Sequence, residues 1–267
     1  MKFREKLTRV SQQTNSLVCV GLDTDPDRLP EHLTGQADSM YRFNEAIIAA
    51  TSDRVCAYKP NSAFYEALGE SGITILRRTC EAIPSHIPVI LDVKRGDIAN
   101  TAEKYAVYAY DVIGADAVTV NPYMGFDAVR PFLREGKCVF ILCATSNTSA
   151  ADFQLMESNG VPLYEQVARA AVSWSQEGEV GLVVGGTNPG IMGKIRAIAP
   201  DLSLLVPGVG AQGGDIAAVV EECGGEPGFT VINSSRGILY ASNGPDFAEA
   251  ARASLEKLRT TINGFRE

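Results

Sequence analysis

The stretch Pro88-Val89-Ile90-Leu91-Asp92-Val93-Lys94-Arg95-Gly96-Asp97-Ile98-Ala99-Asn100-Thr101 passes from an apolar run of strand length into alternating charges and then into a helix-prone segment. If Pro88–Val93 is a strand, Asp92 and Lys94 lie two positions apart in extended chain and point the same way. Asp97 and Thr101 lie four apart and share a helical face if the next helix begins near Asp97. A strand end and a helix start therefore bring negative, positive and negative groups together. Charges enclosed in a pocket must be paired, because leaving water unpaired costs several kcal/mol or more. Flanking carboxylates favour Lys94 as an ammonium, which suits a proton donor and not a neutral amine forming a Schiff base. An ion-pair ladder that merely ties the strand to its helix is the structural alternative.

The same strand-to-helix unit recurs on either side of this stretch. Further β-prone segments are Leu17–Leu22, Val55–Lys59, Ala117–Val120, Cys138–Cys143, Val180–Val184, Ser203–Val206 and Phe229–Ile232. Helix-length intervals separate most of them: Ser39–Thr51, Gly72–Ile83, Asn100–Ile113, Pro162–Gln176, Gly190–Ala199, Asp215–Glu222 and Phe247–Ile262. Strands alternating with crossover helices pair in parallel, and near-continuous apolar strands have both faces covered. Eight such units in 267 residues predict an α/β fold, a closed parallel (β/α)8 TIM barrel forming one domain over residues 1–267. No composition break or Gly/Ser/Pro linker marks a second domain. An open doubly wound sheet, with one strand miscounted, is the competing architecture. The interval Asn147–Pro162 exceeds a minimal connection and reads as a mobile loop over the site.

A formal net charge of -8 disfavours nucleic-acid and acidic-membrane partners, which need a concentrated positive patch. A small anionic ligand held by local donors is compatible with it. No apolar run reaches the roughly 18 residues of a membrane helix, and the amphipathic start MKFREKLTRVSQQ lacks a signal-peptide pattern, so a cytoplasmic location is expected. The six cysteines form no C-x-x-C spacing and read as buried packing residues. With only His32 and His86 available, a multi-histidine metal site and histidine-led acid–base chemistry are poorly supported.

In a barrel the ligand sits at the C-terminal ends of the strands. Polar residues stand at six of those ends: Asp23, Lys59, Asp92 with Lys94, Asn121, Ser146 and Arg236. Two glycine-rich stretches suit an anion. Gly208-Val209-Gly210-Ala211-Gln212-Gly213 matches a bare dinucleotide fingerprint, but the position about 20 residues later is Pro227-Gly228, with no acidic residue for a ribose. Its backbone N–H groups can still approach a phosphate. Asn233-Ser234-Ser235-Arg236-Gly237 adds a guanidinium fork after the eighth strand, and loops seven and eight are the usual phosphate cradle of a barrel.

On these residues the chain resembles the orotidine 5'-phosphate decarboxylase family, in its longer bacterial branch, from Val18 to about Ser242. The D-x-K-x-x-D motif stands as Asp92-Val93-Lys94-Arg95-Gly96-Asp97, and gains specificity from Asp23, Lys59, Pro207-Gly208-Val209-Gly210-Ala211-Gln212 and Arg236. The resemblance implies decarboxylation of orotidine 5'-phosphate to UMP without metal or organic cofactor. It also implies a homodimer with shared sites, in which Lys59, Asp92 and Lys94 come from one subunit while Asp97 and Thr101 reach into the partner's site. Asp23, Lys59 and Thr101 would bind ribose hydroxyls, Ser146 the pyrimidine edge, and Pro207 would pack beside the base. Gln212 and Arg236, aided by backbone near Gly210 and Gly237, would hold phosphate. One departure is Thr148-Ser149, where relatives carry Pro-Gly, which leaves Asn147 as an alternative base contact. The rival within the superfamily is a magnesium-dependent sugar-phosphate decarboxylase or aldolase, but its acidic ligand at the end of strand two is replaced here by Lys59. A non-catalytic phosphate-ligand-binding barrel is the rival of another class.

Overall fold

A computed structural model of the chain describes residues 1–36, 38–209 and 215–266. Eight strands follow one another: β1 Val18–Gly21, β2 Ala57–Lys59, β3 Ile90–Arg95, β4 Ala117–Val120, β5 Cys138–Ala144, β6 Glu179–Val184, β7 Ser203–Pro207 and β8 Thr230–Ser234. They pair in parallel in the order β2, β1, β8, β7, β6, β5, β4, β3. Bridges Tyr58↔Val89 and Asn61↔Asp92 join the two ends of that sheet. Tyr58 N–H donates to the Pro88 carbonyl at 3.0 Å and Asp92 N–H to the Pro60 carbonyl at 2.9 Å, so neither β2 nor β3 is an open edge. The architecture is the closed barrel and not the open sheet.

Closure divides the apolar side chains into two sets, as alternation along each strand requires. Cys19, Ala57, Ile90, Ala117, Phe140, Val183, Leu205 and Val231 form a core inside the barrel. Val18, Val20, Leu91, Val118, Ile141, Leu204, Val206 and Ile232 belong to a second core shared with the helices. The amphipathic N-terminal segment is a helix, Phe3–Thr14, whose buried Phe3 and Leu7 join the inner core. The Phe3 ring meets Phe140 edge-on, with centroids 5.8 Å apart. This helix closes the N-terminal end of the barrel, a role its amphipathic pattern alone did not reveal.

Several expected boundaries shift. The second strand begins at Ala57 instead of Val55, although Cys56 N–H still reaches the Val18 carbonyl at 2.8 Å. The third and eighth strands run on to Arg95 and Ser234. The helix expected over Asn100–Ile113 is α-helical at Ala99–Val107 and continues as a π-helical turn, Tyr108–Val112. The interval Asn147–Pro162 is built into a 3-10 turn, the short helix Ala151–Gln154 and an antiparallel hairpin pairing Glu157–Ser158 with Val161–Pro162. Gln154 ties it down, accepting the Thr145 N–H and donating to Thr145 Oγ1, each at 2.8 Å.

All six cysteines are buried thiols, and burial pushes Cys56, Cys80, Cys143 and Cys223 up to about 12. Such thiols remain protonated and behave as packing groups. Among the described residues no helix is long and apolar enough to cross a membrane.

Candidate active site

The inner face of the barrel changes character two residues beyond its apolar layer. Ala57, Ile90, Ala117 and Val231 belong to the inner core, and the next residues on that face are Lys59, Asp92, Thr119 and Asn233. On β1 the corresponding steps from Cys19 are Gly21 and then Asp23. Each of β2, β3, β4 and β8 thus supplies a packing residue and, one pleat later, a polar one toward its C-terminal end. Lys59, Asp92, Thr119 and Asn233 are all buried, at 3%, 7%, 1% and 6% exposure, so their polar atoms must find partners within the protein or a ligand.

Asp92 is the centre of the cluster. One carboxylate oxygen, Oδ2, accepts from Lys59 Nζ at 2.9 Å, while Oδ1 accepts from Lys94 Nζ at 2.6 Å and from Thr119 Oγ1 at 2.8 Å. Burial alone would push this carboxyl up, but the two ammoniums outweigh it and hold Asp92 well below the ordinary carboxylate range. Burial would likewise lower Lys59, but Asp23 and Asp92 reverse that and raise it, with Asp23 Oδ1 lying 3.8 Å from Lys59 Nζ. Both groups are therefore charged at neutral pH. Lys94 differs from Lys59 in reach, for its side chain is 47% exposed where that of Lys59 is 4%.

Lys94 does not meet Asp92 through simple alternation. The register of β3 against β4 shifts between Leu91 and Arg95, and Lys94 takes a left-handed φ of +46°. Thr119 Oγ1 accepts both the Val93 and Lys94 N–H groups, at 3.0 and 2.9 Å, which fixes the bulge. Bulges of this kind re-aim a side chain at a strand end. Thr119 therefore serves the site twice, supporting the bulge and donating to Asp92, and its ordinary place in the run Ala117–Val120 gave no sign of it.

Asp23 is supported from both sides of the chain. Ser235 Oγ donates to Asp23 Oδ2 at 2.8 Å. The carbonyl of Leu22 accepts the Tyr65 hydroxyl at 2.8 Å, and Thr24 Oγ1 donates to Asn44 Oδ1 at 2.5 Å. Asn44 Nδ2 in turn donates to Tyr65 and Thr79, each at 3.1 Å, and all four of these side chains are fully buried. Gly21 leaves room for this arrangement, since a Cβ there would collide with Ser235 Oγ.

Asp23, Lys59, Asp92, Pro207 and Arg236 line one cavity of about 180 Å³, together with Phe64 and Asn233. Ser146 lies elsewhere, in a second cavity of about 210 Å³ between the ends of β5 and β6 that also includes Asn147, Gln154 and Asn188. Gly237 follows Arg236 directly and its carbonyl accepts the Ser254 hydroxyl at 2.8 Å. Gly210 and Gln212 lie outside the described residues.

Asp97 and Thr101 do not share the helical face expected of them. The helix starts at Ala99, with Ile98 extended at its N-cap, and Asp97 precedes both, accepting the Ile98 N–H at 2.8 Å. Thr101 faces a different depression, beside Glu66, Arg95 and Tyr108. Among the described residues Asp97 forms no ion pair, and Lys94 is bonded to one carboxylate, that of Asp92. A larger cavity of about 560 Å³ opens at the opposite end of the barrel, around Lys2, Arg134 and Glu179. It lies at the N-terminal ends of the strands, where barrel residues serve stability.

Comparison with known proteins agrees with this geometry. Residues 16–253 match the family model described as "Orotidine 5'-phosphate decarboxylase / HUMPS family". The orotidine 5'-phosphate decarboxylase of Herpetosiphon aurantiacus is 52% identical over 253 residues, covering 94% of each chain. The Leishmania donovani OMP decarboxylase structure overlays with a TM-score of 0.86 at 38% identity, covering 100% of this chain and 99% of that one. Leishmania donovani UMP synthase overlays with a TM-score of 0.88 at 39% identity, and there this chain spans 57% of the longer protein. By the extent of the family match and its identity to these relatives, the chain belongs to the orotidine 5'-phosphate decarboxylase / HUMPS family.

Proposed function

We propose that this chain is an enzyme that decarboxylates orotidine 5'-phosphate to UMP and carbon dioxide at the C-terminal mouth of its barrel, with Lys94 protonating C6. The observation that carries the reading is the Lys59–Asp92–Lys94 chain, one buried carboxylate between two ammoniums at 2.9 and 2.6 Å. Cleavage of the bond between C6 and the carboxylate leaves an electron pair in the ring plane, where the π system delocalises it poorly. A preorganised ammonium stabilises that developing charge and then gives its proton to C6; the neutral amine regains a proton from solvent. Asp92 keeps Lys94 oriented and lies near the departing carboxylate. Lys59 remains charged and, together with Lys94, balances the charges of Asp23 and Asp92.

The remaining roles follow the same ligand. Asp23, Lys59 and the partner's copy of Thr101 hold the ribose, Pro207 packs beside the base, and Ser146 or Asn147 reads the pyrimidine edge. Arg236 and Gln212, with backbone at Gly210 and Gly237, hold the phosphate, whose binding energy orients the base far from the reacting bond. Asp97, half-buried and in no ion pair among the described residues, and the outward-facing Thr101 support a homodimer in which both residues complete the neighbouring site. Mixing Lys94→Ala and Asp97→Ala proteins after subunit exchange should restore part of the activity; no recovery in verified heterodimers would refute shared sites. We assign the whole of residues 1–267 to one barrel domain acting in the cytoplasm.

The magnesium-dependent sugar-phosphate reading suffers from the position of Lys59. Its ammonium stands where that reading needs an acidic ligand, and it already contacts the neighbouring carboxylates, Asp92 at 2.9 Å and Asp23 at 3.8 Å. A silent phosphate-binding barrel would not need a bulge that re-aims Lys94 onto Asp92. Purified protein in buffer containing a metal chelator should consume the ultraviolet absorbance of orotidine 5'-phosphate. Persistence of that absorbance with folded protein would overturn the function.

A further inference from the structure

Among the described residues, two buried oxygens on the wall of the 180 Å³ cavity have no hydrogen-bond donor, Asp23 Oδ1 and Asn233 Oδ1. Leaving a buried acceptor unpaired is costly, so a pocket with two of them favours a ligand that brings two donors. Proton counting orients the Asn233 amide. Ser235 Oγ has a single proton and gives it to Asp23 Oδ2, which as a carboxylate only accepts. The amide group that approaches Ser235 Oγ at 3.3 Å must therefore be the Nδ2 donor, which leaves Oδ1 as the acceptor on the cavity wall.

The two acceptors are built as one unit. Asn233 is paired with Cys19 across β8 and β1, and the chain Asn233, Ser235, Asp23 runs between the ends of the same two strands. Asn233 is 6% exposed and its side chain belongs to the inner polar layer, so no solvent-facing role accounts for it. A vicinal diol supplies two hydroxyl donors on adjacent atoms, which matches paired acceptors on one wall. Of the other polar groups lining the cavity, Asp92 only accepts, Ser235 gives its proton to Asp23 Oδ2, and Lys59 Nζ, bonded to Asp92, stays 3.8 Å from Asp23 Oδ1, beyond hydrogen-bond range.

We infer that Asn233 is a ribose-contacting residue, its Oδ1 accepting one ribose hydroxyl while Asp23 Oδ1 accepts the other, so that the pocket selects ribonucleotides over deoxyribonucleotides. The inference rests on the nucleotide reading of this cavity proposed above. Ser235 is a positioning residue for both acceptors.

The test measures dissociation constants of UMP, 2'-deoxyUMP and 3'-deoxyUMP for the unaltered protein and for Asn233→Ala, with inorganic phosphate as a control for an intact barrel. UMP should bind about 10-fold more weakly to the variant, while the one deoxynucleotide that lacks the contacted hydroxyl should change by less than about twofold. Equal weakening of all three nucleotides, or unchanged UMP binding, would overturn the role of Asn233. Failure of the unaltered protein to bind UMP would instead overturn the nucleotide reading and this inference with it. Asn233→Ser removes less volume and carries the same expectations if the alanine variant does not fold.

Discussion

The two ends of the barrel interior are made by the same strands and the same inward face, and they do opposite things. At the N-terminal end Phe3, Leu7, Ile90, Phe140 and Val231 pack without polar atoms, sealed by the helix Phe3–Thr14. One pleat further along, Asp92, Lys59, Thr119 and Asn233 replace apolar groups with charges and hydrogen bonds. Apolar packing stabilises wherever it is buried, whereas a buried ion pair adds little net stability and is strongly disruptive when one partner is lost. The polar end is therefore the expensive one, and it is tolerated because a closed, well-packed lower half holds its strands in register.

Variants at the two ends should separate these roles. Asp92→Asn should have the larger effect, because it leaves Lys59 buried beside a neutral group. We expect a loss of about 3–5 kcal/mol in urea unfolding and a fall in turnover of about 10³-fold or more in initial-rate assays. Unchanged turnover would show that the charge chain is only structural. Phe140→Ala at the other end should cost about 3 kcal/mol by the cavity it leaves, yet UMP affinity of the folded fraction should stay within about twofold. A change in UMP affinity as large as that caused by Asp92→Asn would erase the distinction between the two ends.

Acid gives a smaller but diagnostic effect. Asp92 is held below its ordinary range, so its contribution to stability is complete above the unfolded carboxylate value of about 4 and is lost as pH falls toward its folded value. Unfolding free energy should decline below about pH 4, and Asp92→Asn should flatten that decline. Parallel pH profiles for the two proteins would place the acid sensitivity on other carboxylates.

Apolar runs and their spacing made the barrel legible, because strands buried on both faces leave near-continuous Val, Ile and Leu segments such as Val180–Val184. The pairing of Asp92 with Lys94 was legible too, although the bulge that produces it was not, since a left-handed Lys94 depends on Thr119 from the neighbouring strand. Asn233, Ser235 and Thr119 look like ordinary strand-end residues until barrel closure decides which of them face inward. The buried Asn44–Tyr65–Thr79 network behind Asp23 joins residues from separate helices and has no local pattern. Asp97 was misplaced for a local reason, because the helix start depends on the extended Ile98 and the left-handed Ala99 instead of on charge spacing.

The central claim is that Lys94, held by Asp92, is the proton donor to C6. Its most direct test is the turnover of orotidine 5'-phosphate by Lys94→Ala and unaltered protein in chelator-containing buffer, with UMP affinity measured for both. The account predicts a fall in turnover of about 10⁴-fold or more while UMP affinity, set mainly by phosphate and ribose contacts, stays within about tenfold. Turnover by the variant within about tenfold of the unaltered protein would contradict the account.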